Sequence, residues 1–219
     1  MDFFEVIKNR ASVRDYLKKE VEMDKIGLIL ESARLAPSSG NLQSWYFVIV
    51  KDKNKREEIA KACYNQLWMI NAPVHIVIVA DVDKCKRFYG ERGEKLYSIQ
   101  NTAMAAENML LTATYLNLGA CFVSAFDDEK ISEILGIPSG FKPHGIITIG
   151  YPKFIKRKEK ASLYSLVFLE TFGNRISNID NVLLNFRVGD KIKKSILESS
   201  ESFTERVKKL INKITKKES

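Results

Sequence analysis

The sequence predicts a domain of mixed helices and strands, α/β or α+β, built on a central sheet. Two observations carry that prediction. Segments with apolar residues at helical spacing interleave with short runs rich in β-branched and aromatic residues. The chain has 219 residues, 45% hydrophobic and 28% charged, enough for one domain or one domain with an appendage. No run approaches the ~18 consecutive apolar residues of a membrane span. The opening MDFFEVIKNR sets acids ahead of its bases, unlike a secretory signal. A cytoplasmic protein without a membrane partner is expected.

The elements follow in order. Asp2 and Glu5 form a capping-box pattern ahead of the apolar face of Phe3, Phe4 and Ile7, predicting a helix over 2–9. Ile26, Ile29, Leu30 and Ala33 recur at helical spacing over 23–36, and Pro37 stops the run. WYFVIVKD (45–52) reads as a strand and KNKREEIAKAC (53–63) as a helix. APVHIVIVAD (72–81) is continuously apolar, the pattern of a strand covered on both faces. Residues 97–119 hold the longest helical pattern, with Gly119 as its expected C-cap. ACFVSAF (120–126) is a strand. DDEKISEILG (127–136) is a helix with an acidic first turn and a glycine exit, and HGIITIGYP (144–152) is the last clear strand. Much later, Phe203, Val207, Leu210, Ile211 and Ile214 make a helical stripe that its own domain or a second subunit would bury.

Several function classes lose ground on simple counts. Cys63, Cys85 and Cys121 stand far apart with no CxxC pair, against both a disulfide framework and a zinc site. His75 and His144 sit in apolar runs and read as satisfied core or strand-end histidines, so no metal is expected. The formal net charge is +8, and residues 180–219 carry ten bases against six acids, half of the excess. A nucleic-acid-binding module is the remote reading of that charge. The interspersed acids and the apolar stripe of the tail argue against a nucleic-acid partner. There is no GxxxxGK[ST], no GxGxxG after a strand and no GxSxG.

Three stretches could carry chemistry. In RASVRDY (10–16) an extended chain would turn Arg10, Ser12 and Arg14 to one side, two guanidinium forks flanking a hydroxyl. That array suits a phosphate or another delocalised anion, and it equally suits surface pairing with acids such as Asp15. APSSGNLQSW (36–45) gathers Ser38, Ser39, Asn41 and Gln43 around Gly40, which lets backbone approach a ligand, with Trp45 as a flat face. A turn-rich capping loop is its plainer reading. GACFVSAF (119–126) and GIITIGYP (145–152) end strands at small or polar residues, where ligands of sheet-containing domains sit.

Taken together, RASVRDY, APSSGNLQSWYFVIV, QNTAMAAENMLL, LNLGACFVSAF and LGIPSGFKPHGIITIGYPK resemble, in order and spacing, the nitroreductase family of flavin enzymes. The resemblance covers residues 1–173. It implies an α+β, nitroreductase-like fold with a central mixed β-sheet flanked by helices, in an intertwined homodimer with FMN at the interface. Residues 174–219 would then be a basic helical extension that could wrap the partner subunit. The resemblance places Arg10, Ser12 and Arg14 on the flavin phosphate, ribityl chain and pyrimidine edge. It brings Pro37, Ser38, Ser39, Asn41 and Gln43 from the other subunit. It sets Asn65 on the ring, with Gln66 as competitor, and lays the backbone of Val123, Ser124 and Ala125 along the flavin face. A late base would meet the phosphate, with Arg157, Lys158 and Lys160 as candidates.

One departure stands out. Where many members carry a lysine three residues after that asparagine, this chain has Trp68. The expected activity is an FMN-dependent oxidoreductase. It would pass hydride from NADH or NADPH to a small-molecule acceptor, a nitroaromatic, a quinone or similar. Arg14 would stabilise the negative charge of reduced flavin. The alternatives are a flavin-degrading or dehalogenating member of the same fold, or a flavin-binding protein without turnover.

Overall fold

The computed structural model describes residues 1–177 and Ile179. The chain divides into two compact units, Met1–Arg157 and a second beginning at Lys158. The stripe expected over 202–217 lies outside the described residues.

In the first unit, helix α1 (Phe3–Asn9) starts on the expected capping box. Glu5 N donates to Asp2 Oδ1 at 2.9 Å and Asp2 N to Glu5 Oε2 at 3.3 Å. Helix α2 (Met23–Arg34) buries Ile26, Ile29 and Ala33. Strand β1 (Trp45–Val50) is followed by α3 (Lys53–Ala62), capped by Asp52, whose carboxylate accepts from Lys55 N. Strand β2 (Val74–Asp81) is buried along nearly its whole length.

Residues 82–96 carry no clean period in the sequence, yet they hold α4 (Val82–Arg92), broken at Gly90, and a wide helical turn over Gly93–Tyr97. Helix α5 (Ser98–Tyr115) follows, then β3 (Gly119–Val123), α6 (Asp128–Leu135) and β4 (Phe141–Gly150). No helix among the described residues is long and apolar enough to cross a membrane.

Two sequence expectations need correction. The exit from α5 is Asn117, not Gly119. Asn117 takes the left-handed conformation (φ 58), Leu118 N reaches back to Ala113 O at 2.8 Å, and Asn117 N bonds Thr114 O at 3.1 Å. Gly119 is glycine for a different reason: a Cβ there would stand 2.8 Å from Val13 Cγ1. The strand expected over 120–126 ends at Val123, so Ser124 and Ala125 leave the sheet.

The sheet order is β1-β2-β4-β3, every neighbour antiparallel. The one parallel pairing described is the single bridge Ser12–Ala120 on the free edge of β3. Between Ile78 and Val79 of β2 the register shifts: Ile78 faces Gly145 and Val79 faces Pro143, leaving His144 as the extra residue of a bulge. Pro143, which has no N–H to give, lies on the part of β4 that pairs with β2 alone.

Both sheet faces are covered, which explains the unbroken apolar run of β2. On one face Ile26, Ile29, Met109 and Leu110 of α2 and α5 meet Ile76, Ile78, Ile147 and Ile149. On the other, Ile59 of α3 and Ile131 of α6 meet Val77, Val79, Val123 and Ile146. In the second unit, α7 (Leu163–Leu166) is followed by a bridge between Phe168 and Arg175. The Arg175 guanidinium lies 5.3 Å from the Tyr164 ring and 5.0 Å from that of Phe168.

Candidate functional site

Helix α1 ends because Arg10 turns extended (φ −57, ψ 127), and the chain then runs along the edge of β3. Val13 N donates to Ala120 O at 3.0 Å. Val13 and Tyr16 point into the core at 5% exposure each. The Tyr16 hydroxyl lies 2.7 Å from Val13 O and 2.8 Å from Thr148 Oγ1. With 13 and 16 inward, Ser12 and Arg14 face out, beside the buried thiol of Cys121 on β3. Burial pushes that thiol up, against the opposing pull of Arg14 and the hydrogen bonds from Ser12 and Arg14. Arg10 leans toward α5, its Nε 3.7 Å from Glu107 Oε1. No carboxylate pairs with Arg14 among the described residues. The pairing of Asp15 is with Lys153, at 3.9 Å.

The turn after α3 supplies the next part of this face. Tyr64 and Asn65 are both left-handed (φ 53 and 59), which sends the chain back toward the end of β3. Gln66 Nε2 donates to Ala125 O at 3.2 Å. Asn65 itself is exposed, its backbone N–H bonded to Lys61 O. Two residues beyond Gln66, the Trp68 ring lies 5.7 Å from Arg14 Cζ. Ser12, Arg14, Trp68, Gln66 and Ala125 therefore form one continuous surface, with the Cys121 thiol buried under it. Val123 is buried beneath it, and Ser124 and Ala125 are exposed.

The loop 37–43 is held elsewhere. Gly40, Asn41 and Gln43 are all left-handed (φ 54, 55 and 47). Gln43 N donates to Ser38 Oγ at 2.9 Å. Ser39 gives its N–H and its hydroxyl to Asn101 Oδ1, at 2.9 and 3.1 Å. Asn101 is 1% exposed, and its Nδ2 donates to Ser44 Oγ at 3.0 Å, which the Cys85 thiol also reaches. Gly40 lies against the Tyr89 hydroxyl so closely that any Cβ there would collide with it. Pro37 and Asn41 are exposed. No hydrogen bond or ion pair among the described residues joins this loop to the surface of Ser12, Arg14 and Trp68. Arg157, in the first unit, and Lys160, in the second, are both exposed.

Sequence reasoning assigned no role to Asn101, Tyr89 or Cys121. For Asn101 a signal existed: it lies four residues before Ala105 and eight before Met109, so a polar residue occupies the buried stripe of α5. The assembled surface offers what a flat, anionic ligand needs. Two guanidinium groups and a hydroxyl can bind negative oxygens, and an exposed strand end can meet ring edges. The tryptophan backs one of the cations.

Three comparisons bear on this arrangement. The family model described as "Nitroreductase family" matches residues 7–70 and 63–151. The FMN reductase (NADPH) of Bacillus subtilis strain 168 is 25% identical over 168 residues, covering 71% of this chain and 68% of that one. An NADH dehydrogenase of Thermus thermophilus is 29% identical over 170 residues, 65% of this chain and 83% of that one. Among solved structures, an FMN-dependent nitroreductase of Clostridium difficile R20291 superposes with a TM-score of 0.67 at 32% identity, covering 77% of this chain and 99% of that one.

Proposed function

The chain belongs to the nitroreductase family, and on that premise we propose that Arg10, Ser12 and Arg14 hold FMN on the edge of β3. The chain is an NAD(P)H-dependent flavin oxidoreductase. The observation that carries the site assignment is Arg14: a guanidinium facing outward beside Ser12, with no carboxylate to neutralise it among the described residues. The donor set suits the cofactor. Arg10, loosely paired at 3.7 Å, and Ser12 meet the phosphate and ribityl oxygens, and Arg14 meets the pyrimidine edge. The backbone of Val123, Ser124 and Ala125 runs along the ring. Asn65 adds a polar contact, and Arg157 supplies a further positive charge for the phosphate.

Bound FMN would supply hydride acceptance from NADH or NADPH and hydride delivery to a second substrate. The protein's own part is to position and to provide a field. Arg14 offsets negative charge at the pyrimidine edge. No side chain need act as a nucleophile. Burial pushes Cys63 up to about 12 and Cys121 upward, so neither offers a thiolate at neutral pH.

A micromolar ligand requires about 8 kcal/mol, and charge-assisted hydrogen bonds contribute roughly 1.5–3 kcal/mol each. Two arginines making one such bond each fall short; burying the three-ring system and the polar contacts of the serine-rich loop supply the rest, and a second copy that closes the site would provide both. Pro37, Ser38, Ser39, Asn41 and Gln43 of that copy lie over the flavin in a homodimer. The acceptors are nitroaromatics, quinones or similar oxidised rings. The uncharged residue at 68 favours one second reading, a specialised member of the same fold with poor nitro reduction.

The test is an anaerobic absorbance spectrum of the purified protein before and after NADH or NADPH. The flavin band should be present, bleach, and return on adding a nitroaromatic or a quinone. Arg10→Ala with Arg14→Ala should abolish flavin retention. A protein that neither carries nor takes up FMN ends the proposal. Bleaching without recovery on either acceptor selects the specialised reading.

A further inference from the structure

We propose, resting on the flavin site just described, that Trp68 is a positioning residue. Its ring holds the Arg14 guanidinium at the pyrimidine edge of bound FMN, and thereby sets how strongly this chain favours reduced over oxidised flavin. Arg14 Cζ lies 5.7 Å from the Trp68 ring centroid, within the ~6 Å reach of a cation–π contact.

Both partners are anchored. Arg14 follows Val13, packed in the core, and precedes Tyr16, whose hydroxyl lies 2.7 Å from Val13 O and 2.8 Å from Thr148 Oγ1. Trp68 packs against Val13, Tyr16 and Ala72. It rides on a tight helical turn, Leu67–Asn71, whose carbonyls are gripped from the core. Met69 O accepts from His75 Nε2 at 2.9 Å, and Ile70 O accepts from Arg56 Nη1 at 2.5 Å. Gln66 Nε2 ties the same turn to Ala125 O on the flavin face. Ring, guanidinium and strand end are thus one fixed piece.

The choice of an aromatic ring has a chemical consequence. A free arginine spreads its charge over many rotamers. A carboxylate would fix the guanidinium but cancel its charge. A ring face fixes it and leaves the charge available to a ligand. Position 68 adds no charge of its own, so among the described residues beside this ring the charge comes from Arg14.

The experiment compares wild type with Trp68→Phe, Trp68→Leu, Arg14→Gln and the Trp68→Leu/Arg14→Gln double variant. Circular dichroism checks each fold, and Trp68→Met replaces Trp68→Leu if the latter does not fold. Two quantities are read: tryptophan emission during FMN titration of the apoprotein, and the flavin midpoint potential. FMN should quench the wild-type emission. Trp68→Phe, which leaves only the buried Trp45, should lose most of that quenching and hold the potential within twofold of the wild-type equilibrium. Trp68→Leu should shift the equilibrium about tenfold toward oxidised flavin, about 30 mV. The double variant should shift no further than Arg14→Gln alone, because the ring acts through the arginine.

A wild-type potential in Trp68→Leu overturns the inference, as do additive shifts or unquenched emission with FMN bound. Failure of the wild type to bind FMN instead overturns the flavin site, and this inference with it.

Discussion

His75 lies fully buried on β2, and its Nε2 faces Met69 O at 2.9 Å, so that nitrogen carries the proton. Nδ1 is left as a buried acceptor without a partner among the described residues. The sequence predicts a satisfied core histidine; the core placement holds and the satisfaction is only half complete. Burial, reinforced by the nearby Arg56 charge and opposed by the Met69 hydrogen bond, pushes its pKa down to about 4. In the unfolded chain it titrates near 6.5. Between those values the unfolded state binds a proton that the folded state refuses. Stability from this group is therefore complete above about 6.5 and is lost as pH falls toward 4. From pH 7 to pH 5 the loss is about 2 kcal/mol, at about 1.4 kcal/mol per pH unit. Urea unfolding at the two pH values should show it, and His75→Gln should remove that part of the slope. A slope unchanged in the variant would assign the acid sensitivity to other groups. None of this coupling is legible in the sequence. Alternation along an extended segment is enough to set Ser12 and Arg14 on one face. That Trp68 backs Arg14 depends on two segments meeting across the edge of β3.

Helices and strands with one clean apolar face were readable because burial on one side imposes a period. Helix α4 escaped because only Val82 and Cys85 are buried in it, its remaining positions are mostly charged or exposed, and Gly90 breaks it. The strand order and its antiparallel pairing also escaped, since a strand covered on both faces looks alike in either sheet type. The serine-rich loop shows the same limit at finer grain. Its residues were evident as a polar, glycine-containing loop, but Asn101, which pins it, comes from α5. Asn101→Ala should strand the Ser39 N–H and remove a partner of Ser44, at a cost of about 1–3 kcal/mol. Denaturant unfolding would measure that loss. Amide exchange at Ser39 and Gln43 should accelerate more than exchange in β2, because the loop loses its anchor while the sheet keeps its ladder. Equal acceleration everywhere would mean that Asn101 serves general stability and has no special hold on the loop.

On the proposed reading a single copy carries two separate parts of the site: the surface of Arg10, Ser12 and Arg14, and a loop tied to α4 and α5 that makes no hydrogen bond with it among the described residues. The first unit also bears apolar surface that a lone chain has little reason to keep. A groove of about 410 Å³ runs between α1, α2 and α5, lined by Met1, Phe3, Val6, Leu111 and Tyr115 among others. Phe3 is 67% exposed and Tyr115 58%. If a second copy covers this groove and brings its loop to the flavin, cofactor binding and association are one equilibrium. Apparent FMN affinity should then rise with protein concentration, and FMN should shift the sedimentation of the apoprotein toward the dimer. Phe3→Glu, at an exposed position whose ring meets that of Phe4 edge-on, should weaken both together. Calorimetric FMN titration at several protein concentrations, paired with sedimentation equilibrium, reads the two quantities independently. A Phe3→Glu protein that is monomeric yet binds FMN as tightly as wild type would mean that one chain completes the site alone. The loop 37–43 would then have no part in holding the cofactor.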